Sequence, residues 1–503
     1  LKAEKDKERE KDRKSRRERS RSRSRCVVIN IAREDADEDE PSSSLRNTEQ
    51  AHDSRACPYL DTIDRKVLDF DFEKLCSVSL SHLNVYACMV CGKYFQGRGT
   101  NTHAYTHSLD TDHRVFLNLH TLKFYCLPDN YEVDDPSLED IKYVLKPTYT
   151  KELIGSLDRQ HRMARAYDDS TYFPGVVGLN NIKANDYCNV ILHALSHVTP
   201  LRDFFLREEN YESIKRPPGD KLALLPKRFG ELIRKLWNPK AFRTHVSPHE
   251  MLQATVLCSD KKFQFIKQGD AAEFMSFLLN TLHIALNGTQ KIFRGRMRQY
   301  SRRVIPAEAT EEQRRQLLQL PEYNESSKEL PFLYLALDLP PAPLYRDEQM
   351  QNIIPQVPLT VLLQKFNGTT EKVLLYCLNF FVYPNISSSP TNGSIRISGF
   401  NVDLFDCLSE DARYEHKYTT YDLIANVVHD GKPDSGTYRI QLFFSIGCGK
   451  GSRKWFELED LHVKEILPQM IVLAESYIQW RLQPLRHTRP FLERLFSKFF
   501  FSC

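Results

Sequence analysis

What the chain lacks narrows its class first. No apolar run approaches the roughly 18 residues that a membrane-crossing helix needs, so no membrane partner is expected. The amino terminus is charged rather than apolar and has no secretory pattern. Its 12 cysteines fall without the repeating spacing of a disulfide framework. A reducing, intracellular compartment is therefore expected, where cysteines serve as metal ligands, core residues or nucleophiles. No internal repeat is visible, and the first residue is Leu1 rather than methionine, as expected of a piece of a longer chain.

Charge of one sign is also scarce, except at one end. The formal net charge of +4 hides a split: residues 1–25 carry 13 Lys/Arg against 6 Asp/Glu, an excess of +7 that leaves the remainder at −3. A near-neutral body lacks the broad cationic face that displaces counterions from phosphate, so RNA contact is expected at most through the tail. That tail ends in Ser20-Arg21-Ser22-Arg23-Ser24-Arg25 and is followed by the acidic block 34–40. With almost nothing apolar to bury it cannot offset the entropy of ordering, and residues 1–56 are expected to be disordered. Phosphorylation of the serine-arginine run would turn a cationic segment into one of alternating charge.

What is present suits two folded parts. At 503 residues and 41% hydrophobic content, the chain can supply at least one sizeable core. Residues 57–150 begin as a small module rich in Cys, His and aromatics, 151–171 read as a linker, and 172–480 form a larger domain. Helical periodicity comes early in that domain, at Val190 to Leu195, Phe229 to Trp237 and Phe274 to Leu279. Strand-like runs come late, at Tyr421 to Val428 and Tyr438 to Phe444. Helices first and strands later predict an α+β domain. Residues 481–503 form an atypical tail.

Two constellations carry chemistry. Cys88 and Cys91 stand two residues apart, and His107 and His113 follow within a short window. Two thiolates and two imidazoles complete a tetrahedral zinc site with no open position for substrate. The second constellation is Gly178 to Leu195, which reads Gly-Leu-Asn-Asn-Ile-Lys-Ala-Asn-Asp-Tyr-Cys-Asn-Val-Ile-Leu-His-Ala-Leu.

That box resembles the one opening the ubiquitin-specific protease domain, Gly-Leu-x-Asn-Leu-Gly-Asn-Thr-Cys-Tyr, in which a thiol at a helix amino terminus is favoured as thiolate. The resemblance puts Asp186 at the nucleophile position, Ala184 at the oxyanion asparagine and Lys183 at the preceding glycine. Gln268 to Phe274 is similar to the family's Gln-Asp-Ala-x-Glu-Phe helix. Gly436-Thr437-Tyr438 stands where the family has Gly-His-Tyr, so the general base becomes Thr437. Trp455 to Asp460 resembles the Trp-Tyr-x-Phe-Asp-Asp strand, which puts Glu459 at the orienter position, as a solvated acid. Cys188 lies some 200° around the helix from Asp186 and is expected to be a core residue. His429 matches a second, non-catalytic histidine of the family.

Residues 57–130 resemble the family's ubiquitin-binding zinc finger. Fuller members hold three zincs, but here Tyr59 and Asp129 leave the Cys57/Cys126 site incomplete, and Ser79 and Gln96 leave Cys76 and His103 incomplete. One zinc is expected. Arg98 matches an arginine that grips the ubiquitin tail, although Tyr125 and Leu127 replace aromatics of that pocket. The resemblance implies a papain-like α+β domain behind a zinc finger, without catalysis. The Arg/Ser tail, one finger and this box together resemble the inactive branch of the family associated with the spliceosomal tri-snRNP. The expected role is a nuclear, non-catalytic scaffold in pre-mRNA splicing with tri-snRNP proteins as partners. The alternatives are an adaptor for ubiquitin or a ubiquitin-like protein, and a residually active deubiquitinase. Residues 372–400 and those after Gln479 depart from the family pattern.

Overall fold

A computed structural model describes residues 57–158, 162–212, 216–217, 219–286, 293, 295–306, 309–337, 356–368, 396–398, 400–416, 418–432, 435–445 and 453–483. The expected tail 1–56, most of the atypical stretch 372–400 and residues 484–503 lie outside them. The expected α+β architecture is present: a small sheet module comes first and a larger helix-then-sheet domain follows.

In the first module, β1 (Val85–Cys88), β2 (Tyr94–Gln96), β3 (Val115–Asn118), β4 (Phe124–Cys126) and β5 (Tyr131–Val133) form an antiparallel sheet in the order β2-β1-β3-β4-β5. Alternation gives it two packed faces. Val85, Ala87, Val115 and Leu117 join Leu138, Ile141 and Leu145 on one side. Tyr86, Cys88 and Phe116 join Ala104 and Leu127 on the other. Ala104 comes from α1 (His103–Thr111), which ends at Asp112 in the left-handed conformation (φ 59°).

The expected linker, 151–171, begins as packed structure, as does the end of the finger before it. Leu138, Ile141 and Leu145 bring α2 (Glu139–Leu145) into the module's core, and Ile154 of α3 (Lys151–Leu157) is buried in the main core. Thr150 caps α3 by accepting from the Leu153 N–H at 3.3 Å. Of that linker's polar residues, Lys151 and Glu152 lie on the exposed face of α3.

The larger domain is built around α4 (Asp186–Ser196), every residue of which is buried. It is flanked by α5 (Thr199–Leu206), α6 (Leu224–Leu236), α7 (His249–Cys258) and α8 (Ala271–Ala285). On α6, Leu225, Phe229, Leu232, Ile233 and Leu236 recur at helical spacing and are buried. Two strands, β6 (Gly295–Ser301) and β7 (Ser326–Phe332), form a separate ribbon. The main sheet contains β8 (Asn401–Asp403), β9 (Thr420–Lys432), β10 (Ser435–Ser445), β11 (Arg453–Glu459) and β12 (His462–Ile466) in that order, with β13 (Ser476–Leu482) also pairing with β9. Tyr438, Ile440, Leu442 and Phe444 alternate along β10 and share one core with α4. The expected tail start at 481 moves: Arg481 and Leu482 pair with Leu423 and Asp422, and Trp480 is buried.

The two parts are clamped together. Lys235 on α6 donates to Phe70 O at 2.8 Å and Asp71 Oδ1 at 2.9 Å, and the Ser247 N–H donates to Asp71 Oδ2 at 2.8 Å. Arg243 Nη1 donates to Asp69 Oδ2 at 2.5 Å, and Phe242 enters the first module's core. Breaking a pair of this kind is costly where water is excluded, because the charge left behind is buried, and both Lys235 and Asp71 are mostly buried.

Candidate functional site

The first candidate site lies at the end of β1. After Cys88 the chain turns so that the Gly92 N–H donates to Cys88 O and the Cys88 N–H donates to Lys93 O, each at 2.9 Å. Gly92 has φ +70° and its missing Cβ would stand 2.6 Å from Val67 O, so no other residue fits this turn without displacement. The turn brings Cys91 beside Cys88. Helix α1 delivers His107, held by a stacked Phe95 ring at 4.1 Å, and the left-handed Asp112 swings His113 back toward it.

The four ligand atoms lie within 4.8 Å of one another. Cys88 Sγ is 3.5 Å from His113 Nδ1, Cys91 Sγ is 3.5 Å from His107 Nε2, and the two imidazole nitrogens are 3.1 Å apart. A tetrahedral zinc with bonds of about 2.0–2.1 Å to nitrogen and about 2.3 Å to sulfur has edges of about 3.5 Å and about 3.3 Å between these atom types. The donors therefore fit a four-coordinate zinc. The Cys91 thiol is pushed down to about 4, chiefly by its hydrogen bond with Cys88, with His113 and His107 adding to it, while Cys88 is pushed up.

The two incomplete sets are joined by hydrogen bonds instead. Tyr131 Oη donates to Cys57 Sγ at 3.3 Å, and burial pushes the neighbouring Cys126 thiol up to about 11. Ser79 Oγ donates to Gln96 Oε1 at 2.8 Å, while the Ser79 N–H donates to Cys76 Sγ at 3.4 Å. Arg98 lies 4.4 Å over the Tyr125 ring and donates to Asn130 Oδ1 at 2.5 Å, so its guanidinium already has partners.

The second candidate site lies at the amino terminus of α4. Asp186 is its first residue and is buried. Asp186 Oδ2 accepts from Gln268 Nε2 at 2.8 Å and from the Tyr438 N–H at 3.0 Å. Gln268 Nε2 also donates to Gly436 O at 2.6 Å, so one amide ties the first box to the third. Gly436 has no room for a side chain, since a Cβ there would meet Asp430 O at 2.4 Å and His429 Nε2 at 2.6 Å. Asp186 Oδ1 is buried with no hydrogen-bond partner among the described residues.

The fold thus gathers Asp186, Gln268 and 436–438 into one place, while Thr437 itself faces solvent. Ala184 brings only a methyl group; its backbone N–H donates to Phe265 O at 3.0 Å. Cys188 is buried in the main core, and burial pushes its thiol up, away from thiolate. The His429 ring packs against the Tyr438 ring at 4.4 Å between centroids, tilted by 46°.

Glu459 is exposed and pairs with His462 at the end of a hairpin, so it does not face the site. The carboxylate that does is Asp460. Its backbone sits at φ 50° in the turn, and its oxygens accept from Asn181 Nδ2 at 2.9 Å and Asn189 Nδ2 at 3.0 Å. Burial pushes the Asp460 carboxyl up. The resemblance put Glu459 at the matching position, but along this strand Phe456, Leu458 and Asp460 share the inward side and Glu459 points to solvent. Asn189 also takes part through Asn185, whose Nδ2 donates to Asn189 Oδ1 at 3.0 Å. Sequence reading missed this asparagine network and the linking role of Gln268; the asparagine-rich run 180–189 was its one visible trace.

Comparison with known proteins agrees with this arrangement. Residues 177–480 match the family model described as ubiquitin carboxyl-terminal hydrolase, and residues 76–138 match the zinc finger found in ubiquitin hydrolases and other proteins. Ubiquitin carboxyl-terminal hydrolase 39 of Mus musculus is 57% identical over 459 residues, covering 85% of this chain and 80% of that protein. The probable mRNA-splicing protein ubp10 of Schizosaccharomyces pombe is 40% identical over 457 residues, covering 84% of this chain and 87% of that protein. The crystal structure of an essential yeast splicing factor superposes with a TM-score of 0.64 at 27% identity, covering 85% of this chain and 99% of that one. With a family zinc finger docked on a hydrolase-type domain and both matched along their length, the chain belongs to the ubiquitin carboxyl-terminal hydrolase family.

Proposed function

We propose that this chain is a non-catalytic member of its family and acts as a nuclear scaffold in pre-mRNA splicing, supporting assembly or recruitment of the tri-snRNP. The observation that carries the first half is Asp186: a buried carboxylate, already accepting from Gln268 and the Tyr438 N–H, at the position of the nucleophile. A carboxylate there does not form the thioester of a cysteine protease. Thr437 has no group that titrates near neutral pH, and Ala184 offers no side-chain donor to an oxyanion, a loss worth about 2.7–4 kcal/mol in related chemistry. The second half rests on relatives named as splicing proteins that match this chain along most of their length.

Zinc is the metal proposed for Cys88, Cys91, His107 and His113, and its role is structural, since four protein donors leave no open coordination position. Tri-snRNP proteins are the proposed partners. The test is depletion from nuclear extract followed by add-back. Splicing should fall and be restored by the purified protein, while a ubiquitin suicide probe should leave it unlabelled. Covalent labelling by the probe, or splicing indifferent to depletion, would sink the reading.

A further inference from the structure

The ribbon formed by β6 and β7 pairs with no other strand among the described residues. A two-stranded ribbon alone is marginal in water, so one face is expected to pack, and alternation tells which. Gly295, Met297, Leu330 and Phe332 share one face and are half-buried, with Gly295 so close to the Phe332 ring that an added Cβ would come within 2.3 Å of it. Arg296, Arg298, Tyr300, Ser327, Glu329 and Pro331 share the other, and all are exposed.

That outer face carries a net charge of +1, Arg296 and Arg298 against Glu329. Residues 295–303 hold four arginines and no acid. Glu329 lies 3.7 Å from Arg296 and 3.1 Å from Arg298, so one carboxylate serves two guanidiniums. Arg303, just past the strand, pairs with Glu322. The Arg296 side chain is 82% exposed and Tyr300 is 50% exposed. In sequence Tyr300 stands between Arg298 and Arg302 at a spacing of two, which sets an aromatic ring beside positive charge along one strand.

We propose that this face binds single-stranded RNA, with the arginines neutralising phosphates and Tyr300 stacking under a base. Interleaved cations and an exposed aromatic on a strand are what a single strand requires: charge along the backbone and a platform for a base. The arginines alone would suit an acidic protein segment as well; the aromatic set between them adds the platform on which a base stacks. The near-neutral body argued against a broad cationic face, but a single strand needs only a narrow one.

The test uses the full chain and a fluorescent oligouridine of about 15 nucleotides, a length that spans the ribbon. Arg296→Glu with Arg298→Glu should weaken binding at least about tenfold and flatten its salt dependence. Tyr300→Ala should weaken it while leaving the salt slope unchanged. Ultraviolet crosslinking should place a nucleotide on the peptide containing Tyr300, with circular dichroism confirming that the variants fold. Unchanged RNA affinity in both folded variants, or crosslinks confined to residues 1–56, would overturn the proposal. So would loss of an acidic protein partner with RNA binding intact.

Discussion

Asp186 and Tyr438 stand 252 residues apart in the chain, yet the Tyr438 N–H donates to Asp186 Oδ2 at 3.0 Å. This bond lies between the position proposed for the nucleophile and the residue after the one proposed for the base. It joins α4 to β10, and Gln268 adds a second donor to the same oxygen. The place where Asp186, Gln268 and Tyr438 meet is therefore a structural junction.

Removing the junction should cost stability. Asp186→Ala leaves the Gln268 amide and the Tyr438 N–H without their acceptor, and unfolding free energy should fall by about 1–3 kcal/mol. Asp186→Asn keeps an acceptor oxygen and should cost less. Urea denaturation of both variants measures this; an alanine variant as stable as the original would mean that the junction contributes nothing.

Restoring a thiol alone should not restore chemistry. Asp186→Cys still lacks an imidazole at position 437 and a side-chain donor at 184, and elements of such a site act as a unit. Neither the original nor this variant should turn over a ubiquitin-fluorophore substrate at any pH. Measurable turnover by the original protein would contradict the non-catalytic reading.

One metal ion should be present in the finger. Elemental analysis of purified protein should give about one equivalent of zinc, and Cys91→Ser should abolish it. Because Cys88 and Phe116 share a core beside the site, the same substitution should expose β1 and β3 amides to hydrogen exchange. Full protection of those amides without metal would show that the finger holds itself.

The finger should be held to the larger domain through Lys235. Burial opposes the charge on Lys235, but Asp71 and nearby acids outweigh it and hold its pKa above the ordinary lysine value. A raised pKa contributes stability that is complete below the unfolded value and is lost only as pH rises through the folded one. The lysine side of the clamp should thus be insensitive to pH near neutrality and weaken only in strong alkali. Lys235→Ala strands Asp71 and should cost about 3–5 kcal/mol, with Asp71→Ala adding far less on top of it. Strict additivity in that double-mutant cycle would show that the two are not coupled.

The sequence alone determined the two constellations and the order of the parts. Ligand spacing in Cys88, Cys91, His107 and His113 is local, and so is the substitution at Asp186, so both were legible without coordinates. The buried helix 186–196 and the alternating strand 435–445 were legible for the same reason, since periodicity of 3.6 or 2 is written along the chain. What only the tertiary structure decided lies across long separations. It decided that α3 packs rather than links, because its apolar side needed a partner from other elements. It decided that Asp460, not Glu459, faces Asn181 and Asn189, because Phe456, Leu458 and Asp460 alternate onto the side of the strand that packs on the main core while Glu459 falls on the exposed side. It also decided that Gln268 joins Asp186 to Gly436, for a side-chain amide can be matched to its acceptors only once the backbone has brought them within reach.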